Sequence, residues 1–229
     1  MDFIKSIIIC FVLIASLFAM ACNNEGTGVN AGQDSLMLIN ASPDAGVIDI
    51  AFNDLKLNSK LLSYTENTAY NLIDAGIKKV VTTFPPSIVE QLSIPMLLKT
   101  KKVYSVFFAG RADSSTNVYV ATQDNLTNPD KGKAKYRFIN LSPNSSTLDL
   151  RLTNDSVLVS NLPFKSASDF NQIKAGNYVL KLVSRDTSIK TNVSHNFTLT
   201  NGKIYTFWAK GLVKGVGVHA IGIQVIQNK

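Results

Sequence analysis

Ile139-Asn140-Leu141-Ser142-Pro143-Asn144, followed after two serines by Thr147-Leu148-Asp149-Leu150-Arg151-Leu152-Thr153, decides the fold. In the second stretch Leu148, Leu150 and Leu152 share one face, and Asp149, Arg151 and Thr153 the other. That period of two belongs to a half-buried β-strand. The same text stands 100 residues earlier, as Ile39-Asn40-Ala41-Ser42-Pro43-Asp44 and Val47-Ile48-Asp49-Ile50. The echo continues from Ala75-Gly76 to Ala175-Gly176. It slips by one residue where Val103-Tyr104 and Gly110 return as Ile204-Tyr205 and Gly211. A unit of this length exceeds the roughly 20–50 residues of a solenoid repeat and is a small domain present twice.

Outward from these strands the chain stays β-rich. Ile48, Ile50 and Phe52 alternate with polar or small residues, as do Tyr178, Leu180 and Leu182 with their neighbours. Val103 to Phe108 and Ile204 to Ala209 are aromatic and β-branched, the composition strands favour. Asn201-Gly202 is a tight-turn pair, so Phe197–Thr200 and Lys203–Ala209 are expected to form a hairpin. Lys101-Lys102 holds that place in the first copy without a glycine. No long helical period follows the N-terminal segment, and the neighbourhood of Leu57 to Leu62 has room for a short helical turn at best. Each copy holds about seven short strands, which predicts two sheets packed face to face.

The fold class expected is therefore all-β: two tandem immunoglobulin-like antiparallel β-sandwich domains after an N-terminal signal helix. The boundaries read from composition are a signal peptide at 1–21, a flexible tether at 22–33, domain 1 at 34–126, a linker at 127–133 and domain 2 at 134–229. The linker, with Asn128-Pro129-Asp130-Lys131-Gly132, is short, so the domains are expected to touch.

Ile7 to Ala21 is almost unbroken apolar sequence behind Lys5, short for a membrane span and suited to a signal peptide. Ala19-Met20-Ala21-Cys22 resembles a bacterial lipoprotein signal, with Ala19 where that pattern prefers leucine. The resemblance implies acylation at Cys22. Several acyl chains anchor a domain firmly where one alone is marginal. Cys10 lies inside the signal run, so the mature chain has no internal disulfide and no cysteine-based metal site. The partner expected first is thus a membrane, reached through acyl chains on Cys22. The location expected is the Gram-negative cell envelope, at the outer membrane.

The net charge is +7. A cluster at Lys131, Lys133, Lys135 and Arg137 reads as solvated surface, and no nucleic-acid-binding motif accompanies it. A basic envelope protein can lean on anionic lipid or polysaccharide, or meet another envelope protein.

Chemistry is thin in this chain. His195 sits in a polar region read as a turn, and His219 in a glycine-rich stretch, Val216 to Ala220, read as a strand. Neither accompanies a nucleophile elbow, and their spacing is no metal signature. The mature chain has only Glu25, Glu66 and Glu90 as glutamates. There is no P-loop and no dinucleotide fingerprint. The expectation is no catalytic residue, no metal, no cofactor and no enzyme. Asp49 and Asp149 recur in both copies and read as scaffold carboxylates on the polar face. Ser35 and Ser156 each follow an aspartate in a short pattern resembling a bacterial O-glycosylation sequon.

What the copies do not share is where binding is expected. The segment Phe84-Pro85-Pro86-Ser87-Ile88-Val89-Glu90-Gln91 differs most from its counterpart, and loops at sandwich ends carry binding. Phe107-Phe108 and Phe207-Trp208 each turn one ring away from the sandwich core if they alternate. The candidate ligand residues are Phe84, Pro85, Pro86 and Trp208. Two functional readings arise: adhesion, assembly or surface structure, and a carbohydrate-binding module serving uptake or degradation.

Three stretches carry a resemblance to a known family. Asn40-Ala41-Ser42-Pro43-Asp44-Ala45 with its Val-Ile-Asp-Ile strand, Ile173-Lys174-Ala175-Gly176-Asn177-Tyr178, and Lys203-Ile204-Tyr205-Thr206 resemble the bacterial domain of unknown function 4397, in two tandem copies. The second copy fits more closely. The first departs at Ile77-Lys78-Lys79 and Phe84-Pro85-Pro86. The resemblance implies secreted or lipid-anchored envelope proteins with immunoglobulin-like sandwich domains. It implies no established activity and lends no catalytic residues.

Overall fold

The computed structural model describes residues 34–112, 116–186, 191 and 193–229. The expected signal peptide and tether, with Cys22, lie outside the described residues. Among those described the protein is all-β. The first copy holds β1 Ser35–Asn40, β2 Asp49–Phe52, β3 Leu55–Lys56, β4 Asn71–Leu72, β5 Gly76–Thr83, β6 Glu90–Leu98, β7 Val103–Ala109 and β8 Val118–Gln123. The second holds β9 Lys133–Asn140, β10 Leu148–Leu152, β11 Val157–Leu162, β12 Asn171–Lys174, β13 Gly176–Ser184, β14 Val193–Leu199, β15 Ile204–Lys210 and β16 Gly222–Gln227. Eight strands stand where about seven are expected per copy. Leu57 to Leu62 forms no helical turn, and Leu62 instead bridges Ile48.

Each copy is two four-stranded sheets. The first has order β4-β1-β7-β8 facing β3-β2-β5-β6, and the second β12-β9-β15-β16 facing β11-β10-β13-β14. The sheets are not wholly antiparallel: β1 runs parallel to β7, and β9 to β15. Apolar faces meet inside each sandwich. Leu36, Leu38, Ile48, Ile50, Phe52 and Phe108 lie in the first core. Phe138, Leu148, Leu150, Leu180, Leu182 and Phe207 lie in the second.

A third core joins the copies. Met37, Ile39, Phe107 and Val120 of the first pack against Ile139, Leu141, Trp208 and Ile226 of the second. The layers therefore run sheet, core, sheet, core, sheet, core, sheet, and both sandwiches belong to one compact unit. This explains why β1 is buried along its whole length and β15 nearly so. A strand covered on both faces reads as a continuous apolar run rather than an alternating one.

The expected hairpin at Asn201-Gly202 is corrected. β14 pairs with β13, whereas β15 pairs with β9 and β16, so the turn crosses between sheets. The reason is burial: β14 is largely exposed, and β15 has no solvent face. Asn201 uses its Oδ1 to accept from the Gly132 N–H, tying the crossover to the start of β9.

The repeated Asn-x-Ser motif builds a corner at the top of β1 and β9. Asn40 Oδ1 accepts from the Ser42 N–H, and its Nδ2 donates to the Gly46 and Leu62 carbonyls. Asn140 bonds Ser142 and Leu162 in the same way. Ser42 Oγ donates to the Gly110 carbonyl at 2.9 Å, and Ser142 Oγ to Gly211 at 2.8 Å. Those glycines have φ +93° and +74°, and a Cβ there would fall within 2.2 Å of the Thr116 or Ala220 carbonyl oxygen. Only glycine fits. The motif is a buried scaffold that satisfies backbone groups where strands turn.

Asp149 is fully buried rather than turned to solvent. Its Oδ1 accepts from the Asn161 N–H at 2.8 Å and from Arg185 Nε at 3.0 Å, and its Oδ2 from the Arg151 guanidinium at 2.6 Å. Burial raises the pKa of this carboxyl, but the Asn161 N–H and the two arginines outweigh it and hold it below the ordinary value. A depressed folded-state pKa gives stability above the unfolded value near 3.9, lost as pH falls through the folded value. Asp149→Asn is thus expected to destabilise the chain by about 1–3 kcal/mol at neutral pH. The gap to the parent should narrow in strongly acidic buffer, which urea titrations at the two pH values would measure.

Candidate functional site

The segment between β5 and β6 stands at the top of the first sandwich, at the opposite end from Asp34, where the described chain begins. The pairing Asp49↔Thr83 marks the top, and Gly76↔Leu98 the bottom. Phe84 packs into the first core, its ring edge-on to Phe108 at 5.9 Å. Pro85-Pro86 is a cis peptide, and the Ser87 N–H donates to the Phe84 carbonyl, closing a turn. Ser87 Oγ accepts from the Val89 N–H. Glu90 is held by Lys79 at 2.8 Å. The turn leaves Ile88 at 91% and Val89 at 63% exposure. Phe84 is the root of this loop, and Ile88 and Val89 are its tip, which the emphasis on the prolines passed over. The signal was there: two aliphatic residues next to a proline pair in a loop without counterpart.

The same position in the second copy is polar. Ser184, aligned with Phe84, shares a hydrogen bond with Ser146 Oγ at 2.7 Å, and Arg185 beside it serves the ion-pair network of Asp149.

Trp208 is placed elsewhere. It is fully buried at the centre of the core between the copies, 6.2 Å from Phe107 in an edge-to-face arrangement. The expectation that it binds a ligand is corrected, because its ring has no face open to a sugar. Alternation along β15 sends Phe207 into the sandwich core and Trp208 into the seam.

His195 and His219 are also separated in role. His195 lies on β14, not in a turn, and tilts against Phe197. His219 closes a 3-10 turn, Gly217–His219, rather than a strand, and stacks on Tyr64 of the first copy at 5.9 Å. Lys210 lies over the same Tyr64 ring at 5.7 Å. Among the described residues no three His, Cys, Asp or Glu side chains converge on a metal position. Of the sequon-like serines, Ser35 is buried and Ser156 exposed.

The basic cluster read as surface divides in two. Lys131 and Lys133 are exposed, while Lys135 and Arg137 are buried. Arg137 pairs with Asp124 and donates to Thr206 Oγ1 at 2.9 Å and to the Gln123 carbonyl at 3.2 Å. Asp124 Oδ2 accepts from Tyr70 at 2.6 Å and Ser105 at 2.7 Å. Asn228 donates to the Tyr70 oxygen and accepts from Thr206. Lys135 donates to Thr127 and Asn125 in the connection between the sandwiches. These charges lock the seam. A groove of about 550 Å³ lies at the lower edge of the first sandwich, lined by Asp34, Phe52, Leu55, Leu72, Asp74 and Lys78.

Fold and site together define a double β-sandwich protein with an apolar loop at one end. The chain belongs to the family described as "Domain of unknown function (DUF4397)", whose model matches residues 34–151. That span covers the first sandwich and runs to β10 of the second. No curated protein matches. Among solved structures, a family CBM26 module, CBMbc from Eubacterium rectale Amy13K in complex with maltoheptaose, is 11% identical, with a TM-score of 0.29. The similarity covers 84% of this chain and 96% of the module. The Bacillus anthracis TIE protein is 13% identical over 80% of this chain and 34% of its own, with a TM-score of 0.25. Both similarities are too distant to transfer a ligand.

Proposed function

We propose that this is a non-catalytic, lipid-anchored protein of the Gram-negative envelope, at the outer membrane. In this reading it holds a rigid double sandwich on acyl chains at Cys22 and presents the 84–91 loop to another envelope protein, in adhesion, assembly or surface structure. The second sandwich is taken as a second copy of the family domain, because it repeats the strand order and corner motif of the first. The observation that carries the reading is polarity along the molecule: the segment that follows Cys22 enters β1 from one end, at Asp34, and Ile88 stands exposed at the other. A protein partner is favoured over polysaccharide. Sugar rings stack on open aromatic faces, and the large hydrophobic side chains most exposed among the described residues are all aliphatic.

Cys22→Ala is expected to move the protein from the membrane fraction to the soluble envelope fraction, and retention in the membrane would sink the anchor. Ile88→Asp with Val89→Asp should abolish crosslinking of the loop to its partner on intact cells while leaving the fold unchanged.

A further inference from the structure

We propose that the end of the double sandwich at which the chain enters is a docking face for the anionic phospholipid headgroups of the bilayer that anchors it. The inference rests on the anchor reading above and adds the face that meets the membrane.

Five observations carry it. First, the strands fix the ends. β1, β7, β9 and β15 all rise from this end, because β1 pairs parallel with β7 and β9 with β15, and the connection from β8 to β9 turns here. Second, the two sandwiches share one direction. Lys229 at the foot of the second donates to Leu126 and Asn128 beside the foot of the first, whereas Tyr64 and His219 meet at the top. Third, the turns at this end gather lysines. Lys99, Lys101 and Lys102 lie between β6 and β7, Lys131 before β9, Lys174 at the end of β12 and Lys203 before β15. Lys99, Lys101, Lys131 and Lys174 are exposed, and Lys102 and Lys203 partly so.

Fourth, these six have no ion-pair partner among the described residues. The carboxylates in the turns of the same end include Asp34, Asp54, Asp74, Asp130 and Asp155. Asp130 is held by Lys133 at 2.8 Å and Asp155 by Lys181 at 2.7 Å, and Asp34 accepts from the Lys102 backbone N–H. At the top Asp44–Arg111, Lys60–Glu66, Lys79–Glu90 and Asp149 between two arginines are paired, and Lys165, Lys210 and Lys214 stand there without an ion-pair partner among the described residues. Lysines without an ion-pair partner are thus more numerous at the lower end than at the top.

Fifth, Cys22 precedes Asp34 by only a dozen residues, which span at most about 40 Å when fully extended. An anchored chain therefore holds this pole close to the headgroups. An anionic surface attracts each nearby lysine, and the attraction fades within a Debye length of about 8–10 Å. The lysine pole would draw down onto the bilayer and point the apolar loop away from it.

The test uses protein recovered from membranes and reconstituted into two kinds of vesicle, phosphatidylcholine alone and phosphatidylcholine with phosphatidylglycerol. A donor dye at Thr100→Cys or Ile88→Cys reports energy transfer to an acceptor at the bilayer surface. Transfer from position 100 should rise on the anionic vesicles and fall back in high salt, while transfer from position 88 stays low. The changes Lys99→Glu, Lys101→Glu, Lys102→Glu and Lys203→Glu together should weaken docking by about tenfold or more, returning transfer to the neutral-vesicle level. Far-UV circular dichroism should stay unchanged. Equal transfer on both vesicle types, or a rise that survives the four reversals, would overturn the proposal. If alkaline carbonate strips the chain from the vesicles, the anchor reading falls. The same anionic and neutral vesicles, sedimented with the released chain, then decide the lysine face separately.

Discussion

Trp208→Ala is expected to destabilise the protein by about 3–5 kcal/mol, the range for deleting a fully buried large aromatic. The ring fills the core between the sandwiches against Phe107, Ile139, Met37 and their neighbours. Neither sandwich core contains it, so the cavity would open only at the seam. The loss should therefore appear as weakened coupling of the sandwiches before either melts. Denaturant titration followed by far-UV circular dichroism would show a lower midpoint and a broadened or divided transition. Trp208→Phe should recover much of the loss, since the indole Nε1 is buried without a partner among the described residues and phenylalanine leaves no orphan donor.

The second large effect is expected at Arg137. Removing one member of a buried ion pair leaves an uncompensated charge, and the penalty is about 3–5 kcal/mol. Asp124 would keep Tyr70 and Ser105 as donors but lose its only cation in this network, and burial already pushes its pKa upward. Arg137→Met should thus cost far more than a surface substitution such as Lys131→Met, although the two residues stand close together in one basic run. Adding Asp124→Asn to Arg137→Met should recover part of the loss, because the neutral amide removes the stranded charge. Urea midpoints of the two single variants and the double variant would measure that coupling.

The two positions show where pattern reading reaches and where it ends. The alternation of Leu148, Leu150 and Leu152 identified β10 because one face of that strand is core and the other is not. The Asn-x-Ser corner and the paired glycines were legible as scaffold because duplication repeated them. Ile204 to Ala209 announced a strand, but its lack of alternation also meant that both faces are covered, and the consequence for Trp208 lies in that detail. The hairpin at Asn201-Gly202 misled because a turn pair specifies a reversal, not which sheet receives the next strand. Arg137 and Lys135 looked like surface because charge normally is. Their burial depends on a second sandwich covering the sheet, which no local pattern encodes. Ile88 and Val89 were readable as apolar, yet only the turn rooted by Phe84 shows that they point outward.

The central claim is that the two sandwiches form one rigid body, fused through the third core. Trp208 is the only tryptophan and sits in that core, so its emission reports the seam. Urea unfolding of the intact chain, followed at once by tryptophan emission and by far-UV circular dichroism, tests the claim most directly. A single transition with coincident midpoints is predicted. Emission that shifts to that of a solvated indole at lower urea, while the β-sheet signal persists, would contradict it.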